Sequence, residues 1–206
     1  MSSKVAEFNW PPEKVVYVTS EKAVASIGSG ILMPNCNHEE ADTRIVVHIT
    51  HALDQGAKTI YVRIVGIEVV IILAGAFFDL IVTQPLTSIW VAFGMGKHYR
   101  FYHINAICAR LGEPQSRALP VFHAYSGCDT TSAFKGKSKK SAWQAWQAYK
   151  DVTDTFVHLA SHPFQILNDD SEQFHEIQRL TVVLYDKTST SSSVNESLLS
   201  QKSCNG

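Results

Sequence analysis

Charge of one sign is missing from this chain: 18 Lys and Arg stand against 19 Asp and Glu over 206 residues, for a net charge of -1. No global field therefore draws it to nucleic acid or to a membrane surface, and any such binding has to come from a local patch. Paired cysteines are missing too. Cys36, Cys108, Cys128 and Cys204 stand far apart, without zinc-ribbon spacing or the density of a disulfide framework, which fits a reducing compartment. Convergence of Cys36 and His38 with His123 and Cys128 on a zinc ion is the one metal-thiolate arrangement this leaves open. Long apolar runs are absent as well. The longest, from Ile64 to Phe78, is interrupted by Glu68 and falls short of the ~20 residues a membrane-spanning helix needs. The first residues carry no basic-then-apolar signal pattern, and there is no internal repeat. An intracellular globular chain with no membrane partner is the expectation, with nucleus and cytoplasm left open.

What is present reads as an α/β protein. Residues 1–13, polar around Trp10-Pro11-Pro12, form an expected loose arm; 14–186 form a single domain; 187–206, rich in Ser and Thr at the start, form an expected flexible tail. Val15-Val16-Tyr17-Val18-Thr19 predicts a strand, and Ser26 to Asn37 a connection. Ala41, Ile45, Ile49 and Ala52 step by four, four and three, a helix stripe that Gly56 ends. Thr59 to Val65 predicts a nearly all-apolar strand covered on both faces, and the strand, helix, strand order predicts a parallel sheet. Val69 to Phe78 is helix or strand, since periodicity does not decide it. Ser88 to Phe93 and Tyr99 to His103 flank Gly94-Met95-Gly96-Lys97, a hairpin pattern. Helices are expected at Ile104 to Leu111, Arg117 to Tyr125 and Glu172 to Tyr185, and one opens at Phe134 to Lys140. The last carries Trp143, Trp146 and Tyr149 at i, i+3 and i+6, either a core stripe or a base-stacking platform.

Chemistry concentrates at His38-Glu39-Glu40-Ala41-Asp42-Thr43-Arg44, where three carboxylates fall within four residues. One reading places them in a helix's first turn, where the macrodipole favours negative charge by ~0.3–1 kcal/mol. In the other they are half of a divalent-metal cluster, since carboxylates that close tolerate one another across a cation. Two later breaks carry acids: Gly66-Ile67-Glu68 after the second strand, and Gly127-Cys128-Asp129 before a Gly-Lys loop. Lys135, Lys137, Lys139 and Lys140 form a basic cluster about Gly136.

That order of breaks resembles the flap-endonuclease-like branch of the PIN-like nucleases. The run through Trp90-Val91-Ala92-Phe93-Gly94, Leu119-Pro120-Val121-Phe122-His123 and Gly127-Cys128-Asp129-Thr130 is similar, over about residues 14–202, to a group of animal proteins built on that domain. The resemblance implies a PIN-like parallel sheet flanked by helices, with a β-hairpin insertion and a helix-hairpin-helix-like segment at about 127–150. It implies catalytic and metal-binding roles for Glu40, Asp42, Glu68 and Asp129 with Mg²⁺ or Mn²⁺, which in two-metal hydrolysis generates hydroxide and steadies the leaving oxygen. It implies DNA, structured or single-stranded, as partner, held by Lys135, Gly136, Lys137, Lys139 and Lys140.

The departures from the pattern are specific. Where the family has Asp-x-Asp, Gly66 has no side chain to ligate a metal, and Glu68 reaches one methylene farther. Residues 1–37 hold no Asp to match the family's first-strand ligand, so the resemblance implies a divergent chain truncated at its start. Ser138 replaces the second glycine of the hairpin. The expectation is therefore an inactive or weakly active nuclease domain that binds nucleic acid. An active metal-dependent endonuclease and a non-catalytic interaction or truncated protein are the alternatives.

Overall fold

Apolar residues spaced by three and four put a helix into the stretch after the acidic run, and α1 forms there as Ala41–Asp54. The structure, a computed structural model, describes residues 16–19, 24–27, 41–64 and 66–186. The expected arm and tail, Cys36, His38, Glu39, Glu40 and Cys204 lie outside the described residues. Ile49 and Leu53 of α1 are buried. The Gly56 N–H closes on the Leu53 carbonyl at 2.8 Å.

The described residues divide into two compact units, one from Met1–Leu73 with Phe78–His103 and one from Ala74–Phe77 with Ile104–Gly206. Strands and helices together make an α/β protein, with seven helices and a small three-stranded mixed sheet among the described residues.

In the first unit, β1 (Val16–Thr19) pairs antiparallel with β2 (Val24–Ile27) in a separate two-stranded sheet. The expected connection from Ser26 thus starts inside β2. The expected parallel pairing across α1 is corrected as well, because β3 (Thr59–Ile64) pairs parallel with β4 (Ser88–Phe93), not with β1. Helix α2 (Glu68–Leu80) joins β3 to β4 and resolves the ambiguous apolar run as helix. Thirteen apolar-rich residues suit three helical turns, and Val69, Leu73 and Ala74 are buried along it.

The hairpin forms as expected, β4 pairing antiparallel with β5 (Arg100–His103) around a 3₁₀ turn at Gly96–His98. Strand β3 departs from expectation. Val62 and Ile64 are buried but Tyr61 and Arg63 are exposed, so it is covered on one face only. A three-stranded sheet has β3 at its edge, and its second face leaves Tyr61, Arg63 and Phe101 exposed while Trp90 and His103 are half-buried and Ala92 is buried.

The second unit is helical. It contains α3 (Ile104–Leu111), α4 (Glu113–Tyr125), α5 (Lys139–Ala148), α6 (Val152–Ser161) and α7 (Glu172–Tyr185). Helix α4 begins four residues ahead of the expected Arg117, because Pro114 sits in its first turn, where a missing N–H costs nothing. Helix α6 has no counterpart among the expected elements. Its Val152, Thr153, Thr155 and Phe156 are all buried, and that burial overrides the poor helix propensity of β-branched residues.

The core of this unit is built on Phe122, Trp146 and Phe156 with Ala118, Val152 and Leu180. Phe122 stacks on Trp146 at 4.7 Å between centroids, and Trp146 meets Phe156 edge-on at 5.6 Å. The Trp146 indole donates to Thr153 Oγ1 at 3.0 Å, satisfying its one polar atom. The aromatic stripe of α5 is thus core packing. The 127–150 segment holds one helix, α5, and α4 and α6 lie outside its bounds.

Candidate functional site

The acidic residues singled out in the sequence fall at element starts and turns. Asp42 is in the first turn of α1 and half-exposed. On the same helix, burial and the charges of His51 and Arg44 hold His48 below the ordinary histidine range. Glu68 opens α2, and its carboxylate curls back so that Oε2 occupies the space a β-carbon on Gly66 would take. An acid at a helix start is favoured by the aligned peptide dipoles. Asp42 and Glu68 belong to the first unit and Asp129 to the second.

Asp129 sits at an exposed tip. Cys128 and Thr131 exchange both backbone hydrogen bonds at 3.2 Å, leaving Asp129 and Thr130 as the two turn residues between them. The preceding Gly127 has φ of 96°, and a β-carbon there would meet Ala133 Cβ at 2.6 Å, so only glycine fits. Among the described residues, no group of three or more His, Cys, Asp and Glu side chains is placed to hold a metal ion. No hydrolytic step is assigned to these carboxylates.

The lysine cluster separates into different roles. Lys139 Nζ donates to the carbonyl of Gly127, to Ser126 Oγ at 3.1 Å and to the His123 carbonyl at 3.3 Å, with His123 Nδ1 at 3.2 Å. Those acceptors lie at the carbonyl end of α4. The charge thus leaves the start of its own helix, where the dipole disfavours it, and caps the end of another, where the dipole favours it. Lys137 Nζ lies 4.8 Å from the centre of the Tyr185 ring, a cation-π contact. The Lys135 carbonyl accepts the Tyr185 hydroxyl at 3.3 Å. Gly136 turns the chain with φ of 72° and open space beside it. Lys135 and Lys140 are exposed to solvent. Ser138 caps α5 by accepting from the Ser141 N–H at 3.2 Å.

Two features escaped the sequence reading. The Cys128 thiol lies 3.2 Å from both the Thr130 and Thr131 hydroxyls, and these bonds, with that of the Thr130 backbone, bring it down to about 7. A Cys followed at two and three residues by Thr was the available signal. The other is a cleft of about 490 Å³ between α6 and α7, lined by Asp151, Asp154, His158, Glu172 and Glu176. The Tyr149 hydroxyl donates to Glu176 at its rim. Burial raises that phenol, and the Glu176 bond and charge with Asp151 raise it further. So acidic a cleft repels phosphate.

No family model, no curated protein and no solved structure matches the chain.

Proposed function

We propose that this chain is a divergent flap-endonuclease-like PIN domain that holds nucleic acid and does not cut it. The observation that carries the reading is at Gly66. The family's ligand side chain is gone, and the Glu68 carboxylate folds over the vacated position at the start of α2. Gly66 offers a metal no side chain, and Glu68 reaches one methylene farther than the Asp of the pattern, a shift that costs a large factor when positioning sets the rate. The exposed Lys135 and Lys140, beside the open backbone of Gly136, offer charge and N–H groups to phosphate.

The test is incubation of the full chain with flap, nicked and single-stranded DNA in Mg²⁺ or Mn²⁺. The expected result is retarded DNA without product, with retention weakened when Lys135 and Lys140 are both changed to Ala. Cleavage that Asp129→Ala abolishes would show a working nuclease and overturn the reading.

A further inference from the structure

The open face of the three-stranded sheet carries more aromatic surface than a solvent-facing sheet needs. Pairing places Tyr61, Trp90 and His103 in one row across the strands, and Arg63, Ala92 and Phe101 in the next. Residues opposite one another share a face. Tyr99, two residues before Phe101, extends the same side. Tyr61 is 69% exposed, Phe101 57% and Tyr99 41%, whereas the opposite face buries Val62, Ile64, Ile89 and Val91. Large apolar rings left together in water mark an interaction surface.

The rings are set in place before any ligand arrives. Trp90 and His103 lie parallel at 4.1 Å and 8°. One hydroxyl fixes both, since Trp90 Nε1 donates to Ser88 Oγ at 2.8 Å and His103 Nε2 lies 3.0 Å from the same oxygen. Tyr99 and Phe101 pack edge to face at 5.2 Å. Ordering these side chains therefore costs a partner little entropy.

Charge selects the partner. Residues 55–67 and 81–112, which build all three strands, contain Lys58, Arg63, Lys97, Arg100 and Arg110 but neither Asp nor Glu. Of the two strand cations, the register sets Arg63 on the open face and Arg100, opposite Phe93, on the other. On a chain of net charge -1, the acids are elsewhere. A second copy of the same face brings no carboxylate to Arg63, since the rows hold only Tyr61, Trp90, His103, Arg63, Ala92 and Phe101. An anionic polymer with flat apolar groups fits both the rings and the charge.

We propose that this sheet face is a stacking platform for single-stranded nucleic acid, with bases on Tyr61, Phe101 and the Trp90–His103 pair and phosphate on Arg63. Unpaired bases are required because a duplex hides its base planes. The platform lies wholly in the first unit, and its argument does not depend on nuclease ancestry or on the lysines of the second.

The experiment is fluorescence anisotropy of the full chain with labelled 12-residue oligonucleotides, single-stranded and duplex, across a salt series. Expected are single-strand binding at least tenfold tighter than duplex, a loss of roughly 5- to 100-fold for each of Tyr61→Ala and Phe101→Ala, and a salt slope reduced by about 0.7 in Arg63→Gln. Both rings are exposed, so these variants should melt as the parent does. If they do not, ultraviolet crosslinking of a bromouracil-substituted strand to the unaltered protein decides, with adducts expected on peptides containing Tyr61, Trp90 or Phe101. Equal duplex affinity, ring variants within twofold of the parent, or adducts confined to residues 104–206 would overturn the proposal. So would a dimer in sedimentation that the ring substitutions dissolve. Loss of binding on changing Lys135 and Lys140 alone would uphold the proposed function while removing this platform.

Discussion

Lys139 donates its ammonium to the carbonyl of Gly127, and that bond ties one member of the lysine cluster to the end of α4. The bonds to Ser126 and His123 complete the cap on α4. Lys139→Ala leaves the last carbonyls of α4 without their charged donor and is expected to destabilise the protein by ~1–2 kcal/mol. Lys140→Ala, on an exposed side chain, should stay within ~0.5 kcal/mol of the parent. Urea melts of the two variants check this, and equal stabilities would mean that Lys139 caps nothing.

Gly75 of α2 faces Pro120 inside α4, and a β-carbon on Gly75 would meet Pro120 Cγ at 2.6 Å and Cδ at 3.0 Å. In a free helix, Gly→Ala gains ~1 kcal/mol of propensity. Here the contact should reverse the sign, so that Gly75→Ala costs ~1–3 kcal/mol through overpacking. In a Pro120→Ala background the same change should become neutral or stabilising. Thermal unfolding of the four proteins in this cycle measures the coupling, and additivity would show that the two residues do not touch.

Cys128 and Cys108 should separate by reactivity. Hydroxyl bonds bring the Cys128 thiol down to about 7, while burial raises Cys108, only partly offset by its bond from Ser116. The thiolate is the nucleophile. Alkylation followed by mass should therefore show one modified cysteine between residues 104 and 186, with a rate half-maximal near pH 7. Thr131→Ala should move that midpoint upward. A midpoint above 8.5 in the parent would refute the assignment.

Tyr125 should govern part of the alkaline stability. Burial pushes its phenol up to about 12, with the Thr181 hydroxyl 3.1 Å away working against the shift. A group whose proton is held more tightly in the fold contributes fully below its unfolded value near 10. That contribution is lost as pH rises toward about 12. Urea midpoints measured from pH 9 to 12 should fall over this window, and less steeply in Tyr125→Phe.

Local patterns in the chain foretold several elements closely. Helix α7 at Glu172–Tyr185, helix α3 at Ile104–Leu111 and the β4–β5 hairpin around its glycines fall where spacing and turn residues place them. Helix α6 did not follow from the pattern, because its Val and Thr residues are poor helix formers alone and need the shelter of Phe122 and Trp146 to become one. The partner of β1 was equally hidden. Only residues 20–23 separate β1 from β2, but Val24-Ala25-Ser26-Ile27 has small residues at its centre and little strand pattern of its own, and nothing in Val16–Thr19 itself chooses β2 over β3.

The candidate site divides in the same way. The amino acids alone determined which groups the molecule possesses: acids at Asp42, Glu68 and Asp129, a Gly at 66 with nothing to offer a metal, and lysines about Gly136. Only tertiary structure decided their employment, because a side chain's role is set by what lies within 3 to 4 Å of it. It turned Lys139 onto the end of α4, folded Glu68 over Gly66, buried Trp146 and left Tyr61 and Phe101 in water. Alternation along each strand could name the residues sharing a face, but which face gained a cover depended on helices distant in the chain.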